Sequence, residues 1–486
     1  MKFLRFAHFH KSVSTAAPVF TFALIPSDSH LQRSTPDPGN SFPSPREYNV
    51  FSELNALTAA FVLMALSVAA DHGHFSWKAI ILLILSTGCL LFAATRRLKP
   101  RITASFSNEK VLAAALVLLL LVGIFDAPGY YLHSKLYTPV YIAVQIALAV
   151  LVSARCLWSK SSLQNAPWLF FGACVAGFGL RIWMVTASPV PVIDVFNQFQ
   201  ESSAHLLQGL NPFWTPVTDP LEGIKDFGYH VTGYAYPPAN LYAHVASYLL
   251  FGDIRYGYIA FEFVAVLCLY ALTAETAKST GRLLVLLFLF HPRGLFVIEQ
   301  AWTEPLLVGS GALFLWLAAK RPHSRWIPVA FGFFLSLKQY LVFFAALFFA
   351  LPMRWRLILP VTAVILLTWL PFLLWDFDSA IQNGLLFQFR TTFRTDGLTL
   401  STVFHRWFGW ESTKWVAISV GLGVTAWTWK RFQGGGLGGY LYASLLTTLS
   451  AFLVGSQAFC NYYYFLGAMV LFLLAVRARE ESAHAG

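Results

Sequence analysis

The chain has 486 residues, of which 57% are hydrophobic and only 12% are charged. Soluble globular proteins carry about 25% charged residues, so this composition excludes an ordinary soluble domain. The net charge of +11 comes from lysines and arginines in short connections between apolar runs, which is the pattern of a membrane protein and not of a nucleic-acid-binding one. The five cysteines form no C-x-x-C pair, which argues against a disulfide framework or a thiolate metal site.

The first 48 residues differ from the rest of the chain. They are basic and rich in serine and proline, so we predict a disordered tail over 1–48. Apolar runs of about 20 residues then predict membrane-spanning helices. The first five runs are 51–70, 77–95, 110–126, 137–157 and 166–187. We divide the chain into accessory transmembrane helices (49–160), a core (161–478) and a cytoplasmic tail (479–486).

The charges of the connections indicate which side of the membrane each one faces. The strongly positive segment TRRLKPR (95–101) belongs in the cytoplasm by the positive-inside rule. The loops 71–74 and 127–135 then face outward, and so does the long polar interval 189–252.

The interval 189–252 predicts two short helices. Asp194 stands where a helix N-cap would, and Gly209 ends the first helix. Its apolar residues share one face, as in an amphipathic helix at the membrane interface: Val195, Phe196, Phe199, Leu206 and Leu207. The second segment, 237–252, is either a short span or another interfacial helix. If it is interfacial, the cations of 277–282 lie in the cytoplasm, as the positive-inside rule requires; if it spans, they face outward. We therefore predict an interfacial helix.

The remaining chain continues as apolar runs with one internal cation. The runs are 255–277, 283–298, 303–319, 326–353, 355–375, 414–430, 437–455 and 458–476, with a second outer loop at 376–412. The run 326–353 is too long for one span, and Lys338 interrupts it, so we predict a hairpin of two short helices. The predicted fold is an all-α polytopic membrane protein of roughly 13–14 helices.

Asp194 and Lys338 are the leading functional candidates. Two roles fit Asp194: a catalytic carboxylate that takes a proton from an acceptor hydroxyl, or only a helix cap. Lys338 lies inside an apolar run, where an unpaired and unsolvated cation is energetically costly. We therefore expect Lys338 either to bind a lipid phosphate or to extend to the lipid headgroups as an anchor.

Other polar and aromatic residues on the outer side extend this set. Arg181, Arg390 and Arg394 suit contacts with a phosphate, although surface arginines on a solvated loop fit the last two equally well. Glu299 and Glu304 would bind the acceptor or a divalent ion, or pair with a nearby cation. Further acceptor contacts are expected from aromatic and imidazole side chains: Trp302, Tyr236 and His230. No metal ligand set and no cofactor is indicated.

Six segments follow one another over about 166–476: GLRIWMVTASPVPVIDVFNQFQESSAHLLQGLNPF, YAYPPANLYAHVASYLLFG, HPRGLFVIEQAWTEP, the Lys338 hairpin, FRTDGLTLS and SQAFCNYYYFLGAM. In this order they resemble the GT-C superfamily of integral-membrane glycosyltransferases, most closely the polyprenol-phosphate-mannose-dependent α-mannosyltransferases. The resemblance implies a GT-C-like helix bundle and a polyprenyl-phosphate sugar donor. It also implies inverting transfer with Asp194 as the base and with Lys338 and Arg181 on the donor phosphate. The single Asp departs from the paired acidic motif of some branches, and the first four helices are additional.

We therefore expect a glycosyltransferase of the inner (plasma) membrane with its active site on the extracytoplasmic face. Mannose is the expected sugar, with arabinose or glucose as alternatives, and the acceptor would be a glycan or glycolipid hydroxyl. A polytopic lipid or solute transporter is the alternative outside enzymes, and a non-catalytic scaffold would leave Asp194 dispensable. Besides donor and acceptor, the lipid bilayer is an expected partner and nucleic acid is not.

Overall fold

The computed structural model describes residues 52–97, 108–134, 137–158, 163–220, 233–273, 277–348 and 354–485. The predicted N-terminal tail and His230 lie outside these ranges. All the described residues belong to one compact unit. Across them the secondary structure is helical, apart from an isolated two-residue β-bridge between His74 and Gly397.

The first five helices follow the predicted apolar runs closely. They are α1 (Glu53–Ala69), α2 (Trp77–Arg97), α3 (Asn108–Ile124), α4 (Tyr137–Val152, continued by a π-helical turn at Ser153–Trp158) and α5 (Pro167–Ala187). Their agreement with the runs reflects the strong local signal of continuous apolar sequence.

The middle of the chain is built from shorter helices. They are α6 (Asp194–Leu207), α7 (Pro238–Phe251), α8 (Arg255–Thr273), α9 (Lys278–Leu289), α10 (Gly294–Glu299), α11 (Glu304–Lys320), α12 (Ile327–Leu335) and α13 (Val342–Leu347). The predicted span 283–298 is therefore wrong, because the chain leaves the helix between α9 and α10. Pro292 has no backbone N–H to continue the helical hydrogen bonding there. The predicted break at Lys338 is present.

The last third contains four long helices and three short ones. They are α14 (Arg354–Trp375), α15 (Phe377–Gly384), α16 (Phe387–Arg390), α17 (Leu400–Phe408), α18 (Lys414–Phe432), α19 (Gly436–Val454) and α20 (Cys460–Ala485). The predicted cytoplasmic tail, 479–486, begins within α20, which continues to Ala485.

Seven helices of the described ranges are long and apolar enough to cross a membrane, so the protein is a multi-pass membrane protein. They are Trp77–Thr95, Thr138–Trp158, Pro167–Ala187, Arg255–Thr273, Arg356–Trp375, Gly436–Val454 and Cys460–Glu480. This number is smaller than the 13–14 helices predicted, because several predicted spans are broken or fall short of a full crossing. Of the apolar membrane-spanning stretch, 89% is buried in α20 but only 17% in α14, so α20 is central and α14 peripheral.

The helices α6 and α7 have 14 residues each and pack against each other. At about 1.5 Å per residue, such a helix is too short to cross about 30 Å of hydrocarbon. On α6, Val195, Phe196 and Phe199 are buried, whereas Leu207 of the predicted apolar face is exposed. α7 ends at Gly252, which adopts the left-handed conformation common at helix ends.

Two buried charges of the core hold the loops of the first helices. Arg293 is fully buried and pairs with Asp126 after α3 at 2.6 Å, and it donates to the carbonyls of Ala127 (3.2 Å) and Ala69 (3.3 Å). The Glu299 carboxylate accepts the backbone N–H groups of residues 130 and 131 at 2.7 and 2.8 Å. The loops after α1 and α3 are thereby fixed to the core.

The first and last helices are joined by a further ion pair. Arg477 of α20 donates to both carboxylate oxygens of Glu53 in α1, at 2.6 and 2.8 Å. Tyr442 of α19 donates to the same carboxylate at 2.8 Å. The start of the described chain therefore packs against its end.

Replacing Arg293 with alanine should destabilise the protein strongly. The substitution leaves Asp126 and the carbonyls of two loops without their donor, and breaking a buried pair typically costs about 3–5 kcal/mol. We expect a clear fall in the free energy of unfolding of the purified protein in mixed micelles. Arg321→Ala, which removes an exposed arginine, should change it little. Equal stability of the two variants would show that the Arg293 contacts do not hold the loops.

Candidate functional site

A cavity of about 270 Å³ lies among the described residues. Its wall is formed by the start of α6, the α1–α2 and α3–α4 loops, the α10–α11 connection, the Lys338 turn, and the segments 387–394 and 457–462. Elements from the whole length of the chain therefore meet at this one site.

Asp194 lies in the wall of the cavity and is only 6% exposed. It is the first residue of α6, and Ile193 occupies the N-cap, so the predicted N-cap assignment is off by one position. The positive end of the helix dipole stabilises the ionised form of a carboxylate at this position. Gln198, one turn further on, lines the same space and donates to the Gly233 carbonyl at 2.9 Å.

Lys338 also lines the cavity, and it is already paired. Its ammonium forms a buried ion pair with the Glu304 carboxylate, which also accepts from the Tyr340 hydroxyl at 3.3 Å. Three tyrosine rings surround the ammonium, with centroids at 5.7 Å (Tyr236), 5.4 Å (Tyr340) and 5.2 Å (Tyr462). Of the roles considered for Glu304, the structure shows the pairing with a nearby cation.

Arg394 lines the cavity as part of a polar cluster. Its guanidinium makes a bidentate pair with Asp396 at 2.9 and 2.8 Å, and the ring of His74 approaches the same carboxylate at 3.3 Å. Burial raises the pKa of Asp396, but hydrogen bonds from His74 and Arg394 outweigh this and hold it below its usual value. The Phe459 ring lies 5.0 Å from the Arg394 guanidinium carbon.

The structure does not bring Arg181 and Arg390 to the cavity, which corrects the expectation for both. Arg181 is buried in α5, forms an ion pair with Glu262 of α8 and donates to the carbonyls of Gly177 and Leu289, each at 3.0 Å. Burial in the bundle requires such a partner, and Glu262 supplies it. Arg390 is exposed at the end of α16.

The predicted acceptor contacts divide into two groups. Tyr236 and Trp302 line the cavity. Glu299 lies behind the wall, where it binds loop backbone, and burial raises its pKa although several hydrogen bonds oppose the rise. Glu299 therefore supports the wall and does not reach the cavity.

Sequence reasoning missed the contribution of the first four helices. His72 and His74 of the α1–α2 loop and Tyr130 and Tyr131 of the α3–α4 loop all line the cavity. The only sequence signal was that both loops were predicted to face the same side as Asp194. His72 also has a positive φ of 51°, which is uncommon for a residue other than glycine and frequent at functional sites.

Five carboxamide side chains also line the cavity, and they were not predicted from the sequence. They are Gln198, Gln300, Gln388, Gln457 and Asn461. Each carboxamide offers both donors and an acceptor, so a set of them suits a ligand rich in hydroxyl groups. The described residues contain no group of three histidine, cysteine or acidic side chains placed to hold a metal ion.

The Lys338–Glu304 pair should behave as one buried unit in stability measurements. Glu304→Gln leaves the ammonium without its counter-charge, so we expect a loss of about 3–5 kcal/mol in the free energy of unfolding. Lys338→Met combined with Glu304→Gln should recover part of that loss, because no unpaired charge remains. Unfolding of the single and double variants in mixed micelles tests this. Additive effects would show that the two groups are not coupled.

The chain was compared with known protein families, curated proteins and solved structures. No protein family, no curated protein and no solved structure matches the chain.

Proposed function

We propose that the protein is a GT-C-type membrane glycosyltransferase that transfers a sugar, with mannose as the first choice, from a polyprenyl phosphate to an acceptor hydroxyl. The observation that supports this most is the composition of the cavity. A buried carboxylate (Asp194), two cations (Lys338 and Arg394) and many carboxamide and aromatic side chains line a single space. Together they match a ligand that combines a phosphate with a polyhydroxylated ring.

Asp194 is the general base in this proposal. The acceptor oxygen attacks the anomeric carbon and gives its proton to the Asp194 carboxylate. The bond between that carbon and the phosphate oxygen breaks, and the polyprenyl phosphate leaves with the electron pair. A single displacement of this kind inverts the anomeric configuration. The resemblance of the sequence to GT-C enzymes around Asp194 supports the same assignment.

Lys338 and Arg394 would stabilise the phosphate as it gains charge in the transition state. Each is already paired with a carboxylate, so the phosphate would share these cations with Glu304 and Asp396. Such sharing fits a donor that must be released as polyprenyl phosphate after every reaction. The positive connections argue for an extracytoplasmic site in an inner (plasma) membrane.

The Asp194→Asn variant should lose sugar transfer. We expect membranes containing the wild type to transfer radiolabel from polyprenyl-phosphate [³H]mannose to glycan or glycolipid, and the variant to be slower by about 10²–10⁴-fold, the usual contribution of a general base. Asparagine keeps the shape and the hydrogen-bonding reach but cannot accept the proton.

Asp378→Asn is the matched control, because Asp378 is an exposed carboxylate outside the cavity lining. Equal transfer by wild type and Asp194→Asn would move the base elsewhere. If the wild type transfers no sugar but moves the labelled lipid across the bilayer of proteoliposomes, the transporter alternative replaces this proposal.

Comparing variants of Arg394 and Arg390 tests the proposed contact with the donor phosphate. They are four residues apart, but only Arg394 lines the cavity. Arg394→Ala should raise the KM for the polyprenyl-phosphate donor by about 10–100-fold, the value of a charged hydrogen bond of 1.5–3 kcal/mol. Arg390→Ala should leave it unchanged. Similar effects of both variants would remove Arg394 from the donor site.

A further inference from the structure

Three side chains from the first helices form a continuous face of the cavity, which we call the N-terminal wall: His72, Tyr130 and Tyr131. The His72 and Tyr130 ring centroids are 4.7 Å apart, and Tyr130 is 5.0 Å from Phe296. Phe296 in turn contacts Trp302 at 5.4 Å. The wall therefore continues an aromatic surface that begins on the core.

The backbone of the N-terminal wall is held in place by the core. Glu299 accepts the N–H groups of Tyr130 and Tyr131. Arg293 donates to the carbonyl of Ala69 at the end of α1 and to that of Ala127 in the α3–α4 loop. Gly129 permits this approach, since a Cβ at that position would lie 2.3 Å from a Glu299 carboxylate oxygen. The side chains of the wall are thus presented on rigid backbone, as a binding surface requires.

The N-terminal wall is uncharged at neutral pH. Burial, and secondarily Arg293, lowers the pKa of His72 to about 4, so its imidazole is neutral. Burial raises the pKa of Tyr130 to about 12 and also raises that of Tyr131, so both remain phenols. The cavity cations Lys338 and Arg394 belong to the core, so the wall itself does not suit a phosphate.

We propose that the N-terminal wall binds a neutral pyranose ring, which in the proposed reaction is the ring of the acceptor. Aromatic faces can stack on the apolar face of the sugar, and phenol and imidazole groups can hydrogen-bond its hydroxyls. Asp194 and Tyr131 both line this cavity, so the general base faces the same space as the wall. The acceptor hydroxyl would therefore lie next to the group that takes its proton. The identity of this ring as the acceptor's rests on the proposed function.

Saturation-transfer difference NMR tests ring binding without any reaction. The probe is methyl α-D-mannopyranoside added to the full chain in lipid nanodiscs without donor. Ring protons should be saturated by the wild type and by Asp194→Asn. Tyr130→Ala should weaken binding by about three- to ten-fold, the value of one aromatic contact, whereas Tyr130→Phe retains it.

Tyr131→Ala is a second variant with the same expected loss, in case Tyr130→Ala fails to fold. Tyr242→Ala is the matched control, since Tyr242 is exposed and lies outside the cavity lining. Unchanged binding in both wall variants overturns the proposal, and so does a wild type that saturates neither the mannoside nor methyl α-D-glucopyranoside. Wall-dependent sugar binding without sugar transfer refutes the proposed reaction and leaves the wall as a sugar site. If the wild type transfers sugar but the wall variants bind the mannoside as well as the wild type does, the proposed reaction stands and the sugar site on the wall is refuted.

Discussion

The pairing of buried charges is the constraint on which the rest of this structure depends. In a helical bundle surrounded by lipid, a charged side chain is tolerated only where a partner of opposite sign reaches it. Arg181 meets Glu262, Arg293 meets Asp126, and Lys338 meets Glu304. Each pair joins segments far apart in the chain, so each fixes the position of one helix or loop against another. The second of these pairs holds the loops of the first helices against the core, and the third holds the Lys338 turn, and both the loops and the turn line the cavity.

The cavity has a charged side and a neutral side. Lys338 and Arg394 belong to core elements, and each is paired with a carboxylate. The positive charge on this side of the cavity is therefore partly neutralised. Tyr130 and His72 come from the first helices and are neutral. Asp194 lines the same cavity as both groups. A space with one charged side and one neutral side can hold two chemically different ligands in a defined order, which a uniformly charged pocket cannot do.

The positions of most long helices could be predicted from sequence, because hydropathy is a local property that twenty consecutive residues determine. The same reasoning selected Asp194, Lys338 and Arg394, whose polar character stands out against apolar or interfacial surroundings. It failed for Arg181, since nothing near residue 181 reveals that Glu262, 81 positions later, takes up its charge. It also failed for Tyr130, whose place in the wall depends on a contact between its backbone and Glu299, 169 residues away. Such contacts depend on how helices pack, and a single sequence carries little information about that.

The burial of the last helix has a consequence for how the protein is made. The membrane-spanning stretch of α20 is 89% buried. The helix also supplies the Tyr462 ring beside Lys338 and carries the Arg477 that pairs with Glu53 of α1. Helices enter the membrane in the order of synthesis, so Glu53 of α1 lacks its partner Arg477 until α20 has been made. Until then the central slot that α20 fills in the folded bundle is empty. Assembly of this protein is therefore expected to depend on the membrane insertion machinery, or on a chaperone within the bilayer, to shield that slot.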